Sequence, residues 1–529
     1  MTPDLSLYLV TDSTPAILGN RDLCDVVEQA VQGGVTIVQY RDKHSDTGVL
    51  ISTATKLHEI TKKYNVPLII NDRIDVALAV GAEGVHIGQD DAKLAQAKKL
   101  LPPNAIIGVT VCSLEEAFAA AKYGADYLGI GTLFATPTKT DTKSIIGTAG
   151  TKNILAFLST MPEKVGTVAI GGINLSNVQR VIYQSQAELK GLDGVAIVSA
   201  IMAAENPKEA AATFSNLISK PPAFATTSMP PRPDEVELLL NEVPDMINLV
   251  ATKRPLCHNM INYVVANFAA NVAIAIGASP IMSAYGPEAP ELANNGGSLV
   301  VNMGTLNGDS LQNYVEGVKA YNAVGNPVVF DPVGAGATDV RRNTAKQLLA
   351  SGYFDLIKGN ESELKQIYGR GSSGRQTGVD SGPSTLSEEE KAKLVKDLAK
   401  RERNIVLLTG AIDYLSDGSR VLAIGNGHEL LGHITGTGCI IGTMAASFLA
   451  VHRSDKLLAV LASLLLLEIA AERAAVKPEV KGPGTFVPAL LDELFALRGW
   501  AGRWVGEGVG RGEEGNLFRE VAKVALVPV

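Results

Sequence analysis

Short apolar runs alternate with amphipathic stretches along the first 218 residues of the chain. Eight of the apolar runs have the length and composition of strands, and they are Leu7–Thr11, Thr36–Arg41, Leu68–Asn71, Gly84–Ile87, Ile106–Val111, Tyr127–Thr132, Val168–Gly171 and Gly194–Val198. Helical spacing of apolar residues marks five further stretches, which are Leu50–Tyr64, Ala92–Leu101, Leu114–Tyr123, Val178–Gln186 and Pro207–Leu217. Continuous apolar strands separated by helices are typical of parallel sheets, and eight strands close a barrel. The pattern therefore predicts an α/β fold that begins with a (β/α)8 TIM barrel.

A second alternating pattern occupies the later part of the chain. Its strand-like runs are Leu299–Met303, Val328–Phe330, Leu356–Ile357, Ile405–Leu408 and Val421–Ala423. Helical patterns separate several of these runs, which predicts a doubly wound α/β domain that binds ligands beyond the carboxyl ends of its strands. The apolar run Leu457–Leu467 has 11 residues. It is too short to span a bilayer and predicts a buried helix.

The stretch from residue 255 to residue 283 is apolar enough for a buried helix, yet three asparagines interrupt it, Asn262, Asn267 and Asn271. A buried amide group needs hydrogen-bond partners. These asparagines are therefore expected either to bond to backbone groups or to face a polar ligand.

A proline-rich segment separates the two patterns. Residues 219–235 hold five prolines and no hydrophobic periodicity. Proline fixes φ and removes an amide donor, so the segment is typical of a semi-rigid linker. We expect a first domain over residues 1–220, a linker over 221–235 and a second domain over 236–529.

Composition narrows the possible partners and the compartment. With 46% hydrophobic and 19% charged residues, both halves are able to bury a large core, and a net charge of −8 argues against a nucleic-acid-binding surface. The four cysteines stand alone without zinc-like spacing, which suggests a reducing compartment. The N-terminus has neither the basic segment of a signal peptide nor the arginines of a transit peptide. We expect a cytoplasmic protein with no membrane partner.

Polar side chains follow the predicted barrel strands at the ends where TIM barrels carry their chemistry. Gln39, Arg41 and Lys43 end the second strand, and their alternate spacing points them the same way if the strand extends that far. The other strand ends carry carboxylates, amides, hydroxyls and glycines, namely Asn71, Asp72, His86, Gln89, Asp91, Thr110, the loop 135–141 with Lys139, the turn 170–173, Val198 and Ser199. The set offers two carboxylates suited to Mg²⁺, cations suited to a diphosphate and a phosphate cradle. His86 is interpreted as a packed or hydrogen-bonded core histidine.

Five motifs stand in order at these strand ends. They are Gln39-x-Arg41-x-Lys43, Ile70-Asn71-Asp72, His86-Ile87-Gly88-Gln89-Asp90-Asp91, Thr136-x-Thr138-Lys139 and Ile170-Gly171-Gly172-Ile173. With them, residues 5–218 resemble the thiamine-phosphate synthase family. The resemblance implies Mg²⁺ at Asp72 and Asp91. It implies that the aminopyrimidine diphosphate is bound by Gln39, Arg41, Lys43, Asn71, Thr110 and Lys139, and the thiazole phosphate by Thr136, Thr138, Gly172, Val198 and Ser199. In that family diphosphate leaves first, and the thiazole nitrogen captures the resulting pyrimidine-methyl cation.

Three predicted strand ends in the second half also carry distinctive groups. They precede Asp331–Ala337, Lys358–Glu363 and Thr409-Gly410. Further on, His433–Cys439 is a glycine-rich loop that opens a helix, where free amides and the helix dipole favour an anion. Cys439 falls in the first turn, where a lowered thiol pKa is expected. A base beside an anion hole fits phosphoryl transfer to an alcohol.

Seven motifs make residues 240–490 resemble the hydroxyethylthiazole kinases, a branch of the ribokinase-like kinases. They are Asn262-Tyr-Val-Val, Gly277-Ala-Ser-Pro-Ile-Met282, Asn302-Met-Gly-Thr305, Asp331-Pro-Val-Gly-Ala-Gly-Ala, Gly359-Asn-x-x-Glu363, Thr435-Gly-Thr-Gly-Cys439 and Lys481-Gly-Pro-Gly484. The resemblance implies that Cys439 faces the substrate hydroxyl. It implies further roles for Asn262, Met282 and Gly436 at the thiazole alcohol, Lys358 and Thr409 at ATP, and Asp331 and Glu363 near Mg²⁺. Residues 499–529 carry both tryptophans and match no known motif.

Together the two halves resemble the fungal bifunctional enzymes of thiamine biosynthesis, which carry out successive steps. By analogy with relatives of the kinase, we expect a homo-oligomer, a trimer or hexamer. Two alternatives stay open. One is a phosphosugar barrel isomerase fused to a kinase for another small alcohol, and the other is a non-catalytic sensor of the thiamine pathway.

Overall fold

A computed structural model describes residues 3–134, 145–225, 230–369, 384–506 and 515–529. The chain divides into two compact units, Met1–Pro222 and Ala223–Val529. The two units are described separately.

The described residues of the first unit form a closed barrel of eight parallel strands in sequence order. The strands are β1 (Leu7–Val10), β2 (Ile37–Tyr40), β3 (Leu68–Asn71), β4 (Gly84–Ile87), β5 (Ile106–Val111), β6 (Tyr127–Ile130), β7 (Gly166–Ile170) and β8 (Gly194–Ile197). The helices are α1 (Pro15–Leu18), α2 (Leu23–Gln32), α3 (Thr47–Lys63), α4 (Ile74–Val80), α5 (Leu94–Leu100), α6 (Leu114–Lys122), α7 (Gly147–Leu158), α8 (Val178–Ser185), α9 (Ser199–Met202) and α10 (Pro207–Ile218). The predicted TIM barrel is confirmed.

Alternation along the strands divides the apolar residues of the barrel between two cores. On β1, Leu7 and Leu9 belong to the large cluster that includes helix residues such as Val26, whereas Tyr8 belongs to a smaller cluster with Ile37. Because both strand faces are buried, the strands read as continuous apolar runs and not as alternating ones. The polar residues of this unit are thereby left to the strand ends.

The second unit is built on a nine-stranded sheet, counted over the described residues, in the order β10-β9-β11-β12-β13-β14-β15-β16-β17. Its strands are β9 (Leu256–Met260), β10 (Ser279–Ile281), β11 (Ser298–Asn302), β12 (Val328–Asp331), β13 (Leu356–Gly359), β14 (Ile405–Leu408), β15 (Asp413–Ser416), β16 (Val421–Ile424) and β17 (Val524–Leu526). Pairing is parallel from β10 to β14 and antiparallel from β14 to β17. The predicted C-terminal α/β layer fold is confirmed, with an antiparallel edge.

The helices of this unit lie between and after the strands. They are α11 (Glu235–Lys253), α12 (Ala266–Ile276), α13 (Ala289–Asn294), α14 (Ser310–Ala323), α15 (Asp339–Ser351), α16 (Glu361–Tyr368), α17 (Glu388–Glu402), α18 (Thr437–Val451), α19 (Lys456–Ala475), α20 (Pro483–Gly506) and α21 (Leu517–Val521), with 3₁₀ helices at Gly286–Glu288 and Glu429–His433. The predicted buried helix at Leu457–Leu467 is confirmed, since it lies in α19 and all of its residues are buried. None of the helices in the described ranges is long and apolar enough to cross a membrane.

The prediction of one buried helix over residues 255–283 is wrong. The stretch contains a strand, a helix and a second strand, and β9 and β10 pair in parallel at its two ends. Asn262 is buried in the turn before α12, but Asn267 and Asn271 are exposed on that helix and bond to each other, with Asn271 Nδ2 3.1 Å from Asn267 Oδ1. An apolar run without a clear period does not distinguish a buried strand from a buried helix.

The segment after residue 499, for which the sequence offered no interpretation, completes the second unit. β17 extends the sheet beyond β16, and Phe518 of α21 is fully buried. The ring of Phe518 lies 5.8 Å from that of Trp500, which stacks on Trp504 at 5.4 Å. Both tryptophans of the chain therefore report on this part of the fold.

We predict that Phe518→Ala lowers the free energy of unfolding of the second unit by about 3–5 kcal/mol, because it empties a buried aromatic site. Urea unfolding followed by tryptophan fluorescence measures this, since both tryptophans lie in that unit. Phe495→Ala is the matched control, because the Phe495 side chain is 59% exposed. Equal effects of the two substitutions would contradict a structural role for the C-terminal segment.

Candidate active sites

A cavity of about 340 Å³ opens at the carboxyl ends of the barrel strands. The predicted site residues that line it are Gln39, Arg41, Lys43, Asn71, Asp91, Thr110, Gly172, Val198 and Ser199. Three other predicted residues, Thr136, Thr138 and Lys139, lie outside the described residues. Residues from six different strand ends thus meet at one place, as the parallel topology requires.

The cationic side of this cavity comes from β2 and the loop after it. β2 ends at Tyr40, so Arg41 and Lys43 lie beyond the strand and not on it. The Arg41 amide nevertheless donates to Thr11 Oγ1 at 3.0 Å, which holds the chain beside β1. The extended strand on which a shared direction depended is therefore absent, and it is the loop after β2 that brings Arg41 and Lys43 to the cavity beside Gln39.

Asp72 and Asp91 form a pair of interacting carboxyl groups beside the cavity. Asp72 follows β3 with φ of 65°, and its amide donates to His86 O at 2.8 Å. Asp91 accepts a 2.7 Å hydrogen bond from the Gly88 amide. Burial and the neighbouring charge of Asp91 raise the pKa of Asp72, while Lys43 acts in the opposite direction. Two repelling carboxylates are a donor set that suits a hard divalent cation.

The turn after β7 has the backbone shape of an anion site. Gly171 and Gly172 both have positive φ, 107° and 68°, which only glycine adopts at little cost. A Cβ at Gly171 would lie 2.5 Å from Thr132 Cγ2, so a side chain has no room there. Successive amides in such a turn form a concave nest that suits a phosphate.

His86 joins the interior of the barrel to the cavity. Its Nδ1 lies 3.0 Å from Tyr127 Oη and its Nε2 lies 2.8 Å from Thr110 Oγ1. Burial lowers the pKa of His86 to about 4. The histidine is hydrogen-bonded in the core, as the sequence indicated, but it also lines the cavity, which sequence reasoning missed. His86 lies on β4 opposite Gly108, and a polar residue near the carboxyl end of a barrel strand could have indicated a place at the cavity.

In the second unit, the predicted kinase residues form a chain of polar contacts. Asn262 Nδ2 lies 3.5 Å from Cys439 Sγ and 3.0 Å from Asn302 Oδ1. Asn302 Nδ2 donates in turn to Asp331 Oδ2 at 2.7 Å, and Lys358 Nζ lies 2.8 Å from Asp331 Oδ1. Asn302 had been noted only as part of a motif, but it links Asn262 to Asp331. It was missed because a lone asparagine at a strand end is common in turns.

The expectation of a lowered thiol pKa at Cys439 is wrong. Cys439 does lie in the first turn of α18, after Gly436, but burial and the negative charge of Asp331 raise its pKa to about 11. Lys358 acts in the opposite direction without reversing the shift. Desolvation of the thiolate outweighs the helix terminus at this position. The thiol is therefore protonated at neutral pH.

Glu363 and Lys358 are buried together near Asp331. Glu363 caps α16, accepting hydrogen bonds from the Gly334 and Asn360 amides at 2.9 Å each. Burial and the charge of Asp331 raise the pKa of Glu363 to about 7. Lys358 is only 3% exposed, and it forms an ion pair with Asp331.

The other predicted kinase residues are distributed around this chain. Thr409 follows β14, and its amide donates to Gly359 O at 2.9 Å, next to Lys358. Gly436 has φ of 98°, and a Cβ there would lie 2.3 Å from Val265 Cγ2. Met282 follows β10 and packs against the large apolar cluster, against which Cys439 also packs.

Comparison with known proteins divides the chain in the same way. A model of the thiamine monophosphate synthase family matches residues 7–201, and a model of the hydroxyethylthiazole kinase family matches residues 247–499. The probable thiamine biosynthetic bifunctional enzyme of Schizosaccharomyces pombe is 43% identical over 502 residues, covering 93% of this chain and 95% of the relative. The thiamine biosynthetic bifunctional enzyme of Saccharomyces cerevisiae is 36% identical over 533 residues, again covering 93% and 95%. A hydroxyethylthiazole kinase of Pyrococcus furiosus is 43% identical over 248 residues, covering 47% of this chain and 90% of the relative.

We predict that Cys439 reacts with iodoacetamide at pH 8 about two orders of magnitude more slowly than a free cysteine, since a pKa of about 11 leaves few thiolates. Mass spectrometry of the peptide that contains Cys439 gives the rate as a function of pH. Asp331→Asn removes a charge that raises the pKa and is expected to accelerate the reaction. A wild-type rate equal to that of N-acetylcysteine amide would contradict the raised pKa.

Proposed function

The chain belongs to the bifunctional enzymes of thiamine biosynthesis, with a thiamine-phosphate synthase domain followed by a hydroxyethylthiazole kinase domain, and we propose how its residues carry out the two steps. The kinase phosphorylates 4-methyl-5-(2-hydroxyethyl)thiazole with ATP. The synthase then joins that phosphate to 4-amino-5-hydroxymethyl-2-methylpyrimidine diphosphate, giving thiamine phosphate and diphosphate. The proposed division places the synthase in residues 1–220, the linker in 221–235 and the kinase in 236–529.

In the kinase step, the N-terminus of α18 stabilises the transferred phosphoryl group. α18 has 15 residues and begins after Gly436, so the amides of its first turn are free to donate to an anion. Cys439 faces the alcohol as a neutral thiol that Asn262 holds in place at 3.5 Å. Positioning and charge stabilisation are the main tasks in phosphoryl transfer, which suits a site without a strong base at rest. The proposed ligands are the thiazole alcohol at Asn262, Met282 and Gly436, ATP at Lys358 and Thr409, and Mg²⁺ near Asp331 and Glu363.

In the synthase step, the cations of the β2 loop stabilise the departing diphosphate. Arg41 and Lys43 line the cavity together with Asn71, and charge that develops on the leaving group is the largest electrostatic demand of a dissociative reaction. The Gly171-Gly172 turn holds the phosphate of the second substrate away from that charge. The proposed ligands of the diphosphate substrate are Gln39, Arg41, Lys43, Asn71, Thr110 and Lys139, and those of the thiazole phosphate are Thr136, Thr138, Gly172, Val198 and Ser199.

Mg²⁺ is the proposed cofactor of both sites. Asp72 and Asp91 would hold it in the synthase. Burial and the charge of Asp91 raise the pKa of Asp72, and a bound divalent cation would offset both. Bound there, Mg²⁺ supplies positive charge to the phosphate oxygens. Among the described residues no group of three or more His, Cys, Asp or Glu side chains could hold a metal, so substrate oxygens and water would complete the coordination.

One observation carries the proposal. Residues that the sequence predicted as ligands lie at six separate strand ends, and they line a single barrel cavity. This convergence supports a common substrate site more than any one motif does. We further propose a cytoplasmic enzyme with small-molecule substrates that assembles as a trimer or hexamer. Its four cysteines, all within the described part of the chain, are not paired in disulfides, which suits a reducing compartment.

A single incubation tests the proposed function. Purified protein is supplied with MgATP, the thiazole alcohol and the pyrimidine diphosphate, and products are identified by mass spectrometry. ATP-dependent formation of thiamine phosphate supports both sites at once. Product that forms only when thiazole phosphate is supplied would overturn the kinase assignment, and no product from either mixture would favour a non-catalytic sensor.

We predict that substitutions separate the two steps. Cys439→Ala is expected to lower the kinase rate by about 100-fold or more and leave the coupling step intact. Asp72→Ala is expected to lower the coupling rate by at least about 100-fold and leave the kinase intact. Cys257→Ala, at a buried thiol on β9, and Asp75→Ala, at an exposed carboxylate on α4, are the matched controls. Loss of both activities from either Cys439→Ala or Asp72→Ala would contradict the assignment of two independent sites.

We also predict that the kinase needs more Mg²⁺ as the pH falls through about 7. The pKa of Glu363 is raised to about 7, so its carboxylate is present above that pH and lost below it. The Mg²⁺ concentration for half-maximal rate should rise by up to about tenfold per pH unit below the pKa. Glu363→Gln should flatten this dependence. Glu361→Gln serves as the control, because its hydrogen bonds lower the pKa of Glu361, and a flattened profile in that variant would refute the assignment.

A further inference from the structure

A continuous chain of hydrogen bonds inside the barrel ends at two residues that line the cavity. Gln39 Nε2 donates to Tyr8 Oη at 3.2 Å, and Tyr8 Oη lies 2.6 Å from Tyr127 Oη. Tyr127 Oη lies 3.0 Å from His86 Nδ1, and His86 Nε2 lies 2.8 Å from Thr110 Oγ1. Both Gln39 and Thr110 face the cavity.

The number of hydrogens in this chain fixes its direction. A phenol has one hydrogen to donate, and a neutral imidazole has one donor nitrogen and one acceptor nitrogen. Tyr8 accepts from Gln39, and a buried phenol hydrogen needs an acceptor of its own. The hydrogen of Tyr8 therefore goes to Tyr127, and the hydrogen of Tyr127 goes to His86 Nδ1. His86 Nε2 then donates to Thr110, whose hydroxyl hydrogen is available to a bound molecule.

The opposite direction is the one other arrangement in which every link has a hydrogen and both phenol hydrogens find an acceptor within the chain. If Gln39 turned its carbonyl to Tyr8, each hydroxyl and the imidazole would reverse, and Thr110 would donate to His86. Gln39 would then offer a donor to the cavity and Thr110 an acceptor. In either arrangement one of the two cavity residues offers a donor and the other offers an acceptor. The hydrogen-bonded chain from Gln39 through Tyr8, Tyr127 and His86 to Thr110 is called the relay below. It couples the hydrogen-bonding role of Gln39 to that of Thr110 over three intervening side chains.

The strands leave space for the rings that form this relay. A Cβ at Gly108 would lie 2.0 Å from Tyr127 Cζ, and a Cβ at Gly129 would lie 3.0 Å from His86 Cε1. Gly108 pairs with both His86 and Tyr127, and Gly129 pairs with Thr110, across neighbouring strands. Glycine at these two strand positions costs packing and strand propensity, and the rings of the relay occupy the space that it frees.

We propose that Tyr8, Tyr127 and His86 are positioning residues that fix the polarity of Gln39 and Thr110, so that the cavity offers the Gln39 carbonyl as acceptor and the Thr110 hydroxyl as donor. This pair selects a planar heterocycle that carries an amino donor and a ring-nitrogen acceptor on one edge. A heterocycle whose edge carries two donors or two acceptors is expected to bind less tightly, because one of its groups would lack a hydrogen-bond partner. The identity of that ring as the aminopyrimidine rests on the proposed function, whereas the coupling between Gln39 and Thr110 does not.

Kinetics of the full-length protein test the effect on substrate binding. Tyr127→Phe is expected to raise the KM for the pyrimidine diphosphate by about three- to tenfold, the size of one hydrogen bond, and to leave the KM for thiazole phosphate unchanged. An unchanged KM for thiazole phosphate, which binds in the same unit as Tyr127, reports that the barrel of the variant is folded. Tyr40→Phe is the matched control, because Tyr40 is also buried in the barrel and its hydroxyl lies outside the relay, 3.5 Å from Asp42.

A double-mutant cycle separates positioning from general stability. If Tyr127 acts through Thr110, adding Tyr127→Phe to Thr110→Val should raise the KM by much less than it does in the wild type. Multiplicative effects of the two substitutions would overturn the relay, since they would mean that Tyr127 acts independently of Thr110.

The tautomer of His86 gives a readout that needs no substrate. In ¹⁵N-histidine-labelled protein at neutral pH, NMR should detect the Nε2–H tautomer, and Tyr127→Phe should convert it to a mixture. An Nδ1–H tautomer in the wild type, or no change in the variant, would overturn the proposal. If the wild type formed no thiamine phosphate while His86 behaved as expected, the proposed function would fail and the relay would stand.

Discussion

Parallel strands that are buried on both faces are the constraint on which both units depend. Such strands leave no polar face, so chemistry is confined to their ends, where neighbouring strands bring distant residues together. Asn302 and Asp331 illustrate this, because they end β11 and β12 and are direct partners in the register. Lys358, on the next strand, then reaches Asp331. Residues at the strand ends and directly after them thus supply most of each site.

The negative charge of Asp331 influences the pKa values of the ionisable side chains around it. It is fully buried, and its charge is compensated by Lys358 and by the Asn302 amide. A buried ion pair of this kind is tolerated only with such additional hydrogen bonds. Burial and this charge together raise the pKa values of Glu363 and Cys439, so the carboxylate adds to the effect that keeps a proton on its neighbours.

The sequence was sufficient for strands whose burial is uniform and for polar residues near their carboxyl ends, such as Asn71 and Thr110. It was insufficient where the outcome depends on distant contacts. The apolar stretch that contains β9 and α12 has no period that separates strand from helix, and β17 is recognisable only through its pairing with β16. The pKa of Cys439 could not be predicted either, because the helix position favours the thiolate and the burial that opposes it is invisible in the sequence.

The edge strand β17 has a consequence for the way the second unit forms. Its pairing joins Val524 to Ile424, residues that are 100 positions apart, whereas most barrel strands pair with the next strand along the chain. Closing so long a loop is slow compared with local pairing. During folding, β16 therefore spends time as an open sheet edge, and this interval is when another chain has access to it. Once it has paired, β17 leaves an edge strand of only three residues, and so short an edge offers another chain little to pair with.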